Sequence, residues 1–201
     1  MLRLDRIAKR HAGVVLHDLT LQVEAGECLA VSAESDAAAA MFMRIVATLS
    51  PPDAGSLTID GVDAIRDPFG ARRRLVYVGP TGLSARAGLS LRDAWSTTVA
   101  GRRSATTAKH GTFLEQAGLN LDAPLNDMPP LAQKHAALAM AFDSHAPLVL
   151  VDRPIADCDE EAAARVTQWM TRARQVGVAI VATIGPDDAA PWASRKVHLD
   201  A

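Results

Sequence analysis

Three short runs of almost unbroken apolar residues most constrain this fold: Cys28 to Ser32, Leu148 to Val151 and Val178 to Thr183. A strand with one wet face alternates polar and apolar side chains, whereas a parallel strand buried on both faces reads as a continuous run. The first run leads into Ala37 to Leu49, an alanine-rich stretch apolar all round, which reads as a helix that Pro51-Pro52 would end. The second stops at Asp152 and is followed by Asp159-Glu160-Glu161, an acidic helix start that complements the helix dipole. Val166, Trp169, Met170 and Ala173 then recur at helical spacing, a core stripe rather than a cofactor box, before Gly177 stops the helix. Strands alternating with helices imply an α/β fold with a mostly parallel core sheet.

The rest of the chain hangs on that frame. Leu2, Leu4 and Ile7 suggest an antiparallel edge strand, Leu19, Leu21 and Val23 alternate with period two, and Ser56 to Ile59 is a strand closed by the turn signal Asp60-Gly61. Leu75 to Val78 and Lys196 to Leu199 read as further short strands. Residues from about 89 to 142 are helical in pattern: Phe113, Leu114 and Ala117 share a face ahead of Gly118, and Ala136 to Phe142 is another apolar helical run. The expected architecture is one domain over 1–201, with an N-terminal antiparallel β part and a helical lobe at 89–142 inserted in the core. A chain of 201 residues with 49% hydrophobic content can bury such a core.

A net charge of -2 argues against nucleic-acid binding through bulk charge. The one tight basic cluster, Arg72-Arg73-Arg74, reads as a solvated loop or strand entry rather than a phosphate contact. Cys28 and Cys158 give neither a disulfide framework nor a metal-ligand spacing and are expected to be plain thiols. Met1-Leu2-Arg3-Leu4-Asp5 does not read as a signal segment, and no apolar run approaches the roughly 20 residues of a membrane helix. Membrane association is therefore expected to run through a partner.

Between the first strand and its helix lies Ala33-Glu34-Ser35-Asp36-Ala37-Ala38-Ala39-Ala40, where a P-loop of the form G-x-x-x-x-G-K-[ST] would cradle phosphates. In order and spacing, nearly the whole chain resembles the ATP-binding subunit of ABC transporters. Under that resemblance the loop's first glycine falls on Ala33, the later ones on Asp36 and Ala38, the lysine on Ala39 and the magnesium-binding hydroxyl on Ala40. Leu148-Val149-Leu150-Val151-Asp152-Arg153-Pro154 matches the family's second acidic motif and ends in a loop carrying Asp157 and Asp159. The resemblance implies that Asp152 keeps the carboxylate that holds magnesium through water, and it places Arg153 where the family has the glutamate that polarises water. A guanidinium cannot accept that proton.

The signature helix start lands on Met128-Pro129-Pro130-Leu131-Ala132, whose prolines suit a rigid helix start and lack N–H groups for an anion. Ile184 stands at the switch-histidine position, Gly79 or Pro80 at the glutamine, and His11 where an aromatic stacks on adenine. Residual nucleotide contacts are expected only from His11 and Asp152, with Ala33, Asp36, Ala38, Ala39 and Ala40 forming an altered phosphate loop. No metal site and no catalytic residue is expected. The resulting expectation is an inactive homologue that serves as docking and dimerisation scaffold in an ABC-type complex. Its implied partners are a permease-type membrane subunit and a second ATP-binding subunit, with no cofactor. The alternatives are a weak ATPase that does use ATP and magnesium, and a soluble regulatory protein derived from the fold. Arg153 faces Glu34 and Asp36 across the expected phosphate cavity, so it can pair with either of them and close the pocket, pair with Asp157 or Asp159 in its own loop, or point to solvent.

Overall fold

Four strands near the N-terminus form an antiparallel sheet in the order β2-β1-β4-β5. They are β1 (Leu2–His11), β2 (Val14–Val23), β4 (Ala54–Ile59) and β5 (Val62–Asp63). The computed structural model describes residues 1–83, 89–100 and 112–200. Ala12 and Gly13, both at positive φ (49° and 85°), make the tight turn between β1 and β2. β1 bonds to β2 on one side and β4 on the other, so it is an interior strand and not the edge expected from its sequence. The spacing Leu2, Leu4, Ile7 breaks period two because Arg6 (φ 49°) bulges out, and this returns Ile7 to the buried face. Gly55 faces the bulge: a Cβ there would lie 2.4 Å from the Arg6 carbonyl oxygen, so only glycine fits.

The second sheet is parallel, in the order β6-β7-β8-β3-β9. It contains β3 (Cys28–Ala33), β6 (Leu75–Val78), β7 (Leu148–Val151), β8 (Ala179–Thr183) and β9 (Arg195–Leu199). Its central strands send alternate side chains into two cores. Leu29, Val31, Leu148, Leu150 and Val181 pack toward the antiparallel sheet and helix α1 (Asp36–Val46). Ala30, Val149, Val151 and Ile180 pack toward α5 (Pro130–Asp143) and α6 (Glu160–Gln175). Burial on both faces is why these runs carry so little polar alternation.

α1 ends at Val46, earlier than Pro51-Pro52 would require. Thr48 turns left-handed (φ 59°), and Leu49 and Ser50 both donate their N–H to the Arg44 carbonyl, which closes the helix before the prolines are reached. α6 starts on Asp159, whose carboxylate accepts from Ala162 N at 2.8 Å, and stops before Gly177 (φ 93°). Its Trp169 and Met170 are core residues. α5 begins at Pro130 behind Pro129, the rigid proline start read from the sequence. The expected lobe contributes α3 (Leu91–Ala100), α4 (Thr112–Gln116) and α5, while its residues 101–111 lie outside the described residues. The helix α2 (Pro68–Arg72) is a single turn capped by Asp67, ahead of β6.

Candidate functional site

The carboxyl ends of β3, β7 and β8 are adjacent in the parallel sheet, and open α/β sheets bind ligands just beyond such ends. Here β3 runs out through Ala33, Glu34 and Ser35 into α1. Ser35 caps that helix, its hydroxyl accepting from Ala38 N at 3.2 Å, and the absence of glycine from 33–40 favours the helical turn that follows. Of the loop residues singled out by sequence, Ala33 and Ala38 are packed into the core, Ala39 and Ala40 are half-buried, and Asp36 stands in solvent at the helix start.

The end of β7 supplies the rest. The buried Thr183 hydroxyl donates to Asp152 Oδ1 at 2.5 Å and accepts from Arg153 N at 3.1 Å, so one β8 side chain fixes both residues. Arg153 is held at φ 46°, in the left-handed region that non-glycine residues rarely adopt. Its guanidinium crosses to α1 and pairs with Asp36. Of the partners the sequence left open, Asp36 is the one engaged. The pair links the end of β7 to the start of α1 and stays open to solvent, with the Asp36 side chain 80% exposed and that of Arg153 39%. Exposed pairs of this kind contribute little to stability and exchange readily.

Lys134 completes the set, and the sequence reading missed it. From the first turns of α5 its Nζ donates to the Arg153 carbonyl at 2.5 Å, and the side chain is buried. Burial lowers its pKa, with Cys158, Asp157 and Asp152 pulling the other way. Tyr77, on β6, has its pKa raised first by burial and then by the Asp152 charge, which puts the phenol beside the same carboxylate. The loop after β6 carries Gly79, Pro80 and Gly82, and Gly82 (φ 72°) lies so close on α5 that a Cβ would meet Lys134 Cα at 2.6 Å. Ile184 is packed in the core.

His11 sits apart from this charged set, on the other flank of α1. It lines a cleft of about 550 Å³ with Val14, Ala37, Ala40, Met41 and Arg44. One helix start thus separates a polar crevice holding Asp36, Asp152, Arg153 and Lys134 from a mainly apolar cleft with His11 at its rim. Among the described residues no group of three or more His, Cys, Asp and Glu is placed to hold a metal ion. Asp143, distant in role, is buried under α4 and accepts from Phe113 N at 3.2 Å and Leu114 N at 2.8 Å.

No family model matches the chain. Curated relatives do: it is 27% identical over 205 residues to the cytochrome c biogenesis ATP-binding export protein CcmA of Shigella dysenteriae serotype 1, covering 97% of this chain and 94% of that protein. The CcmA of Escherichia coli K12 matches with the same identity and coverage. Among solved structures, an ATP-binding subunit of an ABC transporter superposes with a TM-score of 0.88 at 18% identity, covering 99% of this chain and 85% of that one. The dimeric bacterial ABC transporter cassette MJ0796 superposes at 0.84 and 18%, covering 100% of this chain and 94% of that one. A post-hydrolysis form of the same cassette, bound to ADP and Pi, gives 0.83. The fold is that of the ABC ATPases, a parallel-strand sheet beside an antiparallel one, as expected. Sequence and fold together support the resemblance to ABC transporter ATP-binding subunits. The expectation of an inactive homologue is corrected. The relatives are ATP-binding export proteins, and a cassette of this fold has been captured after hydrolysis. The positive charge that residues 33–40 lack is brought from outside the loop: Arg153, after β7, pairs with Asp36, and Lys134, on α5, donates to the Arg153 carbonyl.

Proposed function

We propose that this chain is the ATP-binding subunit of an ABC-type membrane export complex, docked on a permease-type membrane subunit and facing a second ATP-binding subunit, a copy of itself or a homologue. The observation that carries the reading is the cluster of charged side chains at the ends of β3, β7 and β8, in a chain alike over 97% of its length to an ATP-binding export protein. The residues fit a magnesium nucleotide in one arrangement: Asp152 to hold the ion, Arg153 to supply positive charge that 33–40 lacks, and His11 to lie against the base. ATP would supply the free energy of its phosphoanhydride bond; the chain's part is to bind, orient and neutralise. Asp36 competes with phosphate for Arg153, so the nucleotide must displace it.

Calorimetric titration of the purified complex with magnesium-ATP tests the reading. Binding in the micromolar to sub-millimolar range, and recovery of a membrane subunit with the chain, are expected. A titration with no heat up to millimolar ATP, with the chain folded and the complex intact, would overturn it.

A further inference from the structure

A cavity of about 380 Å³ lies away from the crevice, where α4, the turn from α5 into β7 and the end of α6 meet. Pro147 and Val178 line it just before β7 and β8 begin, so it sits at the opposite ends of these strands from Asp152, Arg153 and Thr183. Its base is aromatic and dry. Phe113 and Phe142 are 7% and 4% exposed, with ring centroids 5.4 Å apart. Its rim is wet: Arg172 and His145 are exposed, and Val176, at 72%, has the largest exposed fraction of the large apolar residues described.

The polar groups of the lining divide by what they already hold. Asp143 is committed, its two oxygens accepting from Phe113 N at 3.2 Å and Leu114 N at 2.8 Å. Arg172 is not. Its guanidinium lies over the Phe113 ring, 5.4 Å from the centroid, and among the described residues it makes no hydrogen bond and no ion pair, although Glu115 stands exposed on α4. A guanidinium stacked on a ring keeps its N–H edge free, and that planar fork matches a carboxylate. His145, held at φ 55° in the turn, adds a ring whose nitrogens have no hydrogen-bond partner among the described residues.

We propose that this cavity binds a small carboxylate with an aromatic body, the ring against Phe113, Phe142 and Val176 and the carboxylate on the Arg172 fork with His145 beside it. A volume at the lower end of ligand pockets suits a single ring with a short side chain. An inorganic anion would leave the aromatic base uncovered, and an amine would meet a free guanidinium where it needs a free carboxylate. Bound there, the ligand bridges α4 of the helical lobe and α6 of the core. The cavity shares no residue with the nucleotide crevice, so the site holds whether or not the chain binds ATP.

Titration of the full chain with phenylacetate, followed by backbone amide chemical shifts, tests it. A dissociation constant of about a millimolar or tighter is expected, with shifts at the His145, Gly177 and Val178 amides. Acetate, which lacks the ring, and phenethylamine, which reverses the charge, should each bind at least about tenfold more weakly. Arg172→Gln, which keeps an aliphatic stem beside Phe113, should weaken phenylacetate about tenfold, and Val176→Glu, which sets a like charge at the rim, should do the same. Arg3→Glu, a charge reversal on β1, should leave it unchanged. Arg172 and Val176 are exposed, so both variants should melt like the wild type, which separates lost binding from lost fold. No shift at these amides up to tens of millimolar, equal binding of phenethylamine, shifts centred on Asp36 and Arg153 instead, or an affinity indifferent to Arg172→Gln and Val176→Glu would overturn the proposal.

Discussion

Among the carboxylates at helix starts, Asp143 and Asp36 have opposite duties. Asp143 is 8% exposed and satisfies two backbone donors of α4. Asp36 opens α1 at the crevice mouth, 80% exposed, and holds only the guanidinium of Arg153. A buried acceptor cannot leave without stranding its donors, while an exposed one trades its partner for water at little cost. Stability thus rests on Asp143 and exchangeable charge on Asp36.

The sharpest break of that comparison is Asp143→Ala, which leaves the Phe113 and Leu114 N–H groups without their acceptor. A loss of about 2–4 kcal/mol in denaturant unfolding is expected. The pH dependence has a definite sign. Burial raises the Asp143 pKa above its ordinary 3.8, outweighing the two N–H bonds, so the folded state holds the proton more tightly than the unfolded chain. The stability of wild type relative to Asp143→Ala should therefore grow as pH falls from the raised value through 3.8, and shrink as pH rises.

At the exposed end the effect moves from stability to ligand affinity. Arg153→Ala should weaken magnesium-ATP binding about tenfold or more, the usual consequence of losing one charge-assisted contact. Asp36→Asn should instead strengthen it a few-fold by removing the competing anion, and neither change should shift the melting temperature appreciably. Titrations in which both variants change affinity in the same direction would break the reading of Asp36 as an exchangeable partner that competes for Arg153.

The smallest effect is expected inside the same loop. Ala38 is fully buried in the first turn of α1, so Ala38→Gly should cost about 1 kcal/mol in thermal unfolding without nucleotide. A rise in melting temperature would show that the loop strains the helix start rather than supporting it.

The core strands were legible because burial on both faces leaves its mark in every residue of Leu148 to Val151 and nearly every residue of Cys28 to Ala33. The phase of β1 was not, since it depends on Gly55 passing the Arg6 carbonyl from a strand some fifty positions away. The opposite charges of Arg153 and Asp36 could be read in advance, yet nothing local chooses Asp36 over Glu34, Asp157 or Asp159 across a separation of 117 residues. Lys134 was passed over because a lysine in a helix normally faces water. Its one signal was that Lys134 to Phe142 leaves little room for a wet face, and α5 is indeed buried from Lys134 to Asp143.

Gly82 gives that burial a mechanical side. With Lys134 Cα 2.6 Å from where a Cβ would stand, the loop after β6 rests directly on the helix backbone, and the same lysine grips the Arg153 carbonyl. A single methyl group at position 82 would have to prise the loop from α5 or push the helix inward, and either displacement bears on the lysine that holds the arginine loop in place. Clearance at a residue with no charge of its own thus sets the spacing of the charges around it.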